Sequence, residues 1–186
     1  RAQNLWTVDV ADGSLRRITT GPSHDRQPAW SPDATTIAFT SDRHADADLS
    51  WRSDIYVVDA GGGPVRRVSG GRGERAFEQP TWSPDGASIA ATGHRFRMAN
   101  ASSTGTWVFD ATRESDGRDL VGDDALDAGA GMNSDLAGIP APGIAWGPSG
   151  EWLVFGAPAE GSYELWRAQL DGTPPVRLTT GQHALT

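Results

Sequence analysis

A chain of 186 residues is long enough to bury a sizeable core. Its 24 acidic residues against 16 basic ones leave a net charge of −8, which argues against general nucleic-acid binding. With no cysteine, disulfides and thiolate zinc sites are excluded, and with every basic residue an arginine the lysine of a phosphate-binding loop is missing. No run reaches the roughly eighteen apolar residues that a membrane helix needs, and no charged-then-apolar leader opens the chain.

Leu5-Trp6-Thr7-Val8-Asp9-Val10 is a β-rich run that Ala11-Asp12-Gly13 turns back into Leu15-Arg16-Arg17-Ile18-Thr19, a hairpin signal. Pro28-Ala29-Trp30-Ser31-Pro32-Asp33-Ala34-Thr35-Thr36-Ile37-Ala38 follows as strand, tight turn and strand. Proline pre-sets φ at the second turn position, while Ser and Asp offer side-chain oxygens to nearby amides. The first pattern returns at Ile55-Tyr56-Val57-Val58-Asp59 with Val65-Arg66-Arg67-Val68-Ser69, at Thr106-Trp107-Val108-Phe109-Asp110, and at Glu164-Leu165-Trp166 with Val176-Arg177-Leu178-Thr179. The second returns at Pro80-Thr81-Trp82-Ser83-Pro84-Asp85-Gly86 and, more loosely, at Ala145-Trp146-Gly147-Pro148-Ser149-Gly150.

The two signatures alternate with a period of 52 residues from Trp30 to Trp82 and 64 from Trp82 to Trp146. Four short strands per period predict an all-β fold, a β-propeller of four-stranded antiparallel blades. The predicted layout across 1–186 is the outer strands of one blade at 1–20, then full blades at 25–69, 77–122 and 141–180. That makes about three and a half blades, an incomplete ring, and both ends read as cuts in a longer protein. Apolar residues on both faces of the second and third strands suit a blade sandwiched between neighbours. By position, Trp6, Trp30, Trp82, Trp107, Trp146 and Trp166 are expected in the cores. Two stretches fall outside the repeat: the insert 42–54 and the Asp- and Gly-rich loop 111–142.

The Pro-x-Trp-Ser-Pro-Asp-Gly repeat with its Ile/Leu-Tyr/Trp-x-x-Asp-x-x-Gly-Gly strand resembles the WD40-like repeat of periplasmic Tol-system propellers. It is similar as well to the N-terminal propellers of prolyl oligopeptidase family serine peptidases. Ser41-Asp42-Arg43-His44, Arg52-Ser53-Asp54, Arg66-Arg67-Val68-Ser69, Thr92-Gly93-His94-Arg95 and Asn133-Ser134-Asp135 resemble the acylaminoacyl-peptidase and dipeptidyl-aminopeptidase branch. That resemblance implies a propeller packed over an α/β-hydrolase domain of the same chain, which would hold the catalytic Ser, Asp and His, admit short peptides and lie in the cytoplasm. The Tol-type alternative implies a periplasmic protein-binding scaffold. Ala34 in place of the turn glycine, Gly147 and Ser149 in place of Ser and Asp, and Ala91 in place of an aromatic depart from the repeat.

No catalytic residue is assigned within the chain. The nearest approach to a nucleophile elbow, Gly86-Ala87-Ser88-Ile89-Ala90, ends on the wrong residue and has no helix behind it. His44 with Asp42, Asp46 and Asp48 lacks the glycine and terminal glutamate of a calcium loop, so a solvated insert is expected, with no metal and no cofactor. Trp51, in the insert, together with His44 and His94, is the candidate contact for a peptide substrate or a neighbouring domain. Arg16-Arg17 and Arg66-Arg67 are expected to meet water or carboxylates along outer strands.

Overall fold

In the computed structural model, which describes residues 2–47, 49–70, 75–95, 103–122, 126–128 and 143–181, strands account for all the regular structure. β1 (Trp6–Val8) and β2 (Leu15–Arg17) pair as a two-stranded sheet. β3 (Arg26–Trp30), β4 (Thr36–Ser41), β5 (Asp54–Asp59) and β6 (Arg66–Arg67) form a four-stranded meander in chain order. β7 (Arg75–Trp82), β8 (Ser88–Arg95), β9 (Gly105–Asp110) and β10 (Arg118–Asp119) repeat it. β11 (Ala145–Trp146), β12 (Trp152–Ala159), β13 (Ser162–Gln169) and β14 (Val176–Arg177) repeat it again. This is the expected all-β propeller with an incomplete set of blades. The stretch 111–142 begins as more than a loop, because β10 lies within it.

Each blade junction carries its own core. Leu5 and Ile18 pack on Ile37, Phe39, Tyr56 and Val58 of the next sheet. The opposite face of that sheet, with Ala38, Ile55 and Val57, meets Phe77, Ile89, Ala91, Trp107 and Phe109. Ala90 and Val108 then face Leu153, Phe155, Ala157 and Ala168. Alternate residues of β4 and β5 thus serve two junctions, as period-two side-chain placement requires. Trp6 and Trp30 depart from the core expectation, being 57% and 52% exposed. Register explains it: Trp6 occupies the position of Tyr56, whose side chain packs toward the preceding blade, and no such neighbour covers β1 among the described residues.

The turn chemistry is local and repeats. The Ser31 hydroxyl donates to Asp33 at 2.6 Å and accepts the Thr36 amide at 2.9 Å; Ser83 does the same with Asp85 and Ser88 at 2.6 and 2.9 Å. Hydrogen bonds from Ser31 and the Thr35 amide hold the Asp33 carboxyl below its usual range, as Ser83 and the Ala87 amide do for Asp85. The fourth turn residue is left-handed each time, at φ 56° in Ala34, 71° in Gly86 and 75° in Gly150. Alanine pays a steric cost there that glycine avoids. Two other departures have packing reasons. A Cβ at Gly147 would lie 2.6 Å from Trp152 Cζ2, so the ring of Trp152 takes the place of a serine side chain. Beside Ala91, Phe77 supplies the aromatic bulk, standing edge-on to Trp107 and Phe109 at centroid distances of 5.5 and 5.0 Å.

Candidate functional site: the insert-bearing end of the blades

The antiparallel meander brings the end of β4, the start of β5 and the end of β6 together, and the insert 42–53 grows from that end. Its root is a buried carboxylate. Asp25, just before β3, accepts from Ser41 Oγ at 2.7 Å, from Arg43 Nε at 3.1 Å and from Arg43 Nη2 at 2.5 Å. The Asp25 side chain has no exposed surface, so the two-nitrogen grip of Arg43 compensates a fully desolvated charge. Arg43 also lies over the Phe39 ring at 5.9 Å, and its carbonyl accepts from Tyr56 Oη at 3.2 Å. Burial, with Asp54 nearby, pushes the Tyr56 phenol up to about 12, which leaves it a proton donor throughout the physiological range.

Asp42 turns the other way and takes His24 by its amide at 2.8 Å and its Nδ1 at 2.9 Å. Partial burial opposes ionisation of Asp42, but the His24 amide and ring outweigh it and its pKa falls. His44 is bound on both ring nitrogens, with Nδ1 3.1 Å from Asp46 and Nε2 3.0 Å from the Arg52 carbonyl. Arg52 closes the loop by an ion pair to Asp46. The Ser41-Asp42-Arg43-His44 run is therefore a clamp: Ser41 and Arg43 hold Asp25, Asp42 holds the adjacent His24, and His44 braces the insert internally through Asp46 and the Arg52 carbonyl. Held out by this bracing are Leu49, 85% exposed, and Trp51, 82% exposed. Among the described residues no group of three or more His, Cys, Asp or Glu side chains is placed to hold a metal ion. Asp48, named with His44 in the sequence cluster, lies outside the described residues.

His94 sits elsewhere. The sequence places it after a strand, whereas the structure has it within β8, opposite Ala76 of β7. It lines a cavity of about 170 Å³ with Glu78, Gln79, Thr92 and Thr104. Burial holds its pKa below the ordinary histidine value, against the opposing pull of Glu78 and Asp127. His94 and the pair His44 and Trp51 thus stand at the same end of adjacent blades, and neither His44 nor Trp51 lines the His94 cavity.

A second recurring device escaped the sequence reading. Ser69 Oγ accepts the Ile55 amide at 2.8 Å and donates to Asp54 at 2.7 Å, while Arg67 reaches Asp54 at 3.4 Å. Thr179 Oγ1 accepts the Leu165 amide at 2.9 Å and donates to Glu164 at 2.5 Å, with Arg177 on Glu164 at 3.1 Å. Thr19 takes the Leu5 amide at 2.9 Å in the same way. The signal was the recurring Arg-Ile-Thr, Arg-Val-Ser and Arg-Leu-Thr ending of β2, β6 and β14, which β10 with its Arg118-Asp119-Leu120 lacks. The arginine and hydroxyl were in view, but their carboxylate partner lies 13 to 15 residues upstream. Arg67 also pairs with Glu114 of the following blade, where Ser69 and Ser115 form a parallel bridge that covers the β6 edge.

At the opposite end, Ser31, Asp33, Arg66, Trp82, Asp85 and Thr112 contribute to a cleft of about 540 Å³ between two of the tight turns. Ser88 of the elbow-like run opens β8 there, its amide bound to Ser83.

The model of the TolB beta propeller domain matches residues 1–115, more than half of the chain. The chain belongs to the TolB β-propeller domain family. Its curated relatives include the uncharacterized peptidase YuxL of Bacillus subtilis, 35% identical over 89 residues, covering 48% of this chain and 12% of that protein. Dipeptidyl-peptidase 5 of Porphyromonas gingivalis is 29% identical over 164 residues, covering 83% of this chain and 21% of the relative. This TolB-type propeller therefore spans no more than about a fifth of either peptidase it matches. Among solved structures, TolB from Acinetobacter baumannii superposes with a TM-score of 0.66 at 22% identity, over 97% of this chain and 38% of that one, a likeness of fold.

Proposed function

We propose that this propeller is the non-catalytic gate of a serine peptidase, restricting access to an α/β-hydrolase domain on the same polypeptide and admitting short or N-blocked peptides. The observation that carries the proposal is Trp51, 82% exposed on an insert whose base is fixed by Arg43, His44 and Arg52. An aromatic held out on a rigid base meets a partner at small entropic cost, which suits a contact residue. The relatives with peptidase names add support, since one aligns across 83% of the chain. In this reading Trp51 and His44 touch the neighbouring domain or the incoming peptide, His94 borders the same path, and the protein is cytoplasmic. Selectivity is steric, and bond chemistry belongs to the hydrolase domain.

The test is hydrolysis of N-acylated peptides of increasing length, beside a folded protein, by the full-length gene product and its Trp51→Ala variant. The expected result is a rate that falls steeply with length, an intact folded protein, and a KM raised several-fold in Trp51→Ala with kcat less affected. Hydrolysis indifferent to length, or no hydrolysis at all, overturns the proposal. The absence of activity would favour the second reading, a periplasmic Tol-type scaffold that docks a protein on the same insert; family membership and the fold of the solved TolB motivate it.

A further inference from the structure

His44, in the insert that follows β4, has an acceptor at each ring nitrogen. Nε2 stands 3.0 Å from the carbonyl oxygen of Arg52, which can only accept, so a proton sits on Nε2. Nδ1 stands 3.1 Å from Asp46 Oδ1. Desolvation opposes ionisation of Asp46, but its own backbone amide, Arg52 and His44 outweigh it and its pKa falls, so this carboxylate too can only accept. Its other oxygen, Oδ2, already receives Arg52 Nη2. A neutral imidazole has one N–H and satisfies one of these partners; the imidazolium has two and satisfies both.

Besides Asp46 and Arg52 of the insert, Asp54 at the start of β5 adds a negative charge near His44, and Asp54 is itself paired with Arg67 of β6 at 3.4 Å. Asp42 and Arg43, the chain neighbours, are turned to His24 and Asp25. The His44 side chain is 17% exposed, so water has little access to replace a bond that the ring loses. Without its Nδ1 proton the ring sets a lone pair against the Asp46 carboxylate. Without its Nε2 proton it sets one against the Arg52 carbonyl, and the tie beside the exposed Trp51 is broken.

We infer that His44 is a proton-operated latch on the insert: as imidazolium it joins the Arg52 carbonyl to the Asp46 carboxylate, and as the neutral ring it releases one of them and loosens the segment that carries Trp51. Because the protonated form makes both bonds, the bracing is present at low pH and is lost as pH rises through the histidine range. The Arg52–Asp46 ion pair persists on both sides of that transition, so the insert loosens without detaching. The latch is built from bonds within the insert and is independent of any peptidase activity. Only its consequence, a contact residue fixed at low pH and freer above it, rests on the proposed role of Trp51.

Limited proteolysis between residues 44 and 52 of the full-length gene product, at about pH 5 and about pH 8, tests it, each rate normalised to cleavage of an unstructured peptide by the same protease. Expected is cleavage several-fold faster at the higher pH in the wild type, and equally fast at both in His44→Gln, whose single amide nitrogen cannot reach both acceptors. Asp46→Asn is the second variant. Its amide nitrogen can donate to a neutral His44 Nδ1 while its oxygen still accepts from Arg52, so at the higher pH it should be cleaved more slowly than the wild type. Wild-type cleavage that does not change with pH, a pH step that persists in His44→Gln, or Asp46→Asn cleaved at the higher pH as fast as the wild type would overturn the inference. No substrate takes part, so a failed peptidase assay leaves this result standing.

Discussion

Phe77→Ala is expected to destabilise the fold by about 3–5 kcal/mol, the range for emptying a large aromatic from a packed core. Phe77 has no exposed surface and stands between Trp107 and Phe109, where Ala91 leaves room for it. Gly93 makes room as well, since a Cβ there would lie 2.8 Å from Phe77 Cε1 and 2.9 Å from the Ala76 carbonyl oxygen. Gly93→Ala is therefore destabilising in the Phe77 background and milder in Phe77→Ala, a coupling that a double-mutant cycle in urea reads directly. Additive effects would mean that glycine is there for some other reason.

Arg43→Met should cost about 3–5 kcal/mol, because it leaves the Asp25 carboxylate buried with its counter-charge gone. Ser41 Oγ would remain on Asp25 at 2.7 Å, but one hydroxyl does not replace a two-nitrogen guanidinium grip. Adding Asp25→Asn removes the stranded charge, so the double variant is expected to recover much of the loss. The same lesion should loosen the insert, since Arg43 lies between Asp42 and His44, whose bonds reach His24, Asp46 and the Arg52 carbonyl. Limited proteolysis between residues 44 and 52 reports it: faster cleavage in Arg43→Met and near-normal cleavage in the double variant. Equal cleavage in all three would separate the clamp from the insert.

What could be read from the chain beforehand was whatever is local and periodic. Trp-Ser-Pro-Asp writes its turn within five residues, and the alternation along Ile37-Ala38-Phe39 and Ile55-Tyr56-Val57 declares two buried faces. The exposure of Trp6 and Trp30 was not legible, because repeat position says which face a side chain takes and not whether a neighbour stands there. Nothing in the sequence singled out Asp25; its partners Ser41 and Arg43 lie 16 and 18 positions on and meet it only when β3 and β4 pair. Phe77 was likewise invisible as the substitute for an aromatic at 91, because it comes from the facing strand opposite Gly93. Trp51 was singled out as an aromatic outside the repeat, and it stands exposed on the insert. His44 proved to be a brace of the insert, and His94 a cavity wall on the adjacent blade.

The central claim, that this propeller serves a serine peptidase without carrying its chemistry, is tested most directly by labelling the full-length gene product with a fluorophosphonate and mapping the modified serine. The account predicts one labelled serine outside residues 1–186, in a Gly-x-Ser-x-Gly turn, with Ser88 untouched. Labelling at Ser88, or a full-length product in which no serine reacts, would contradict it.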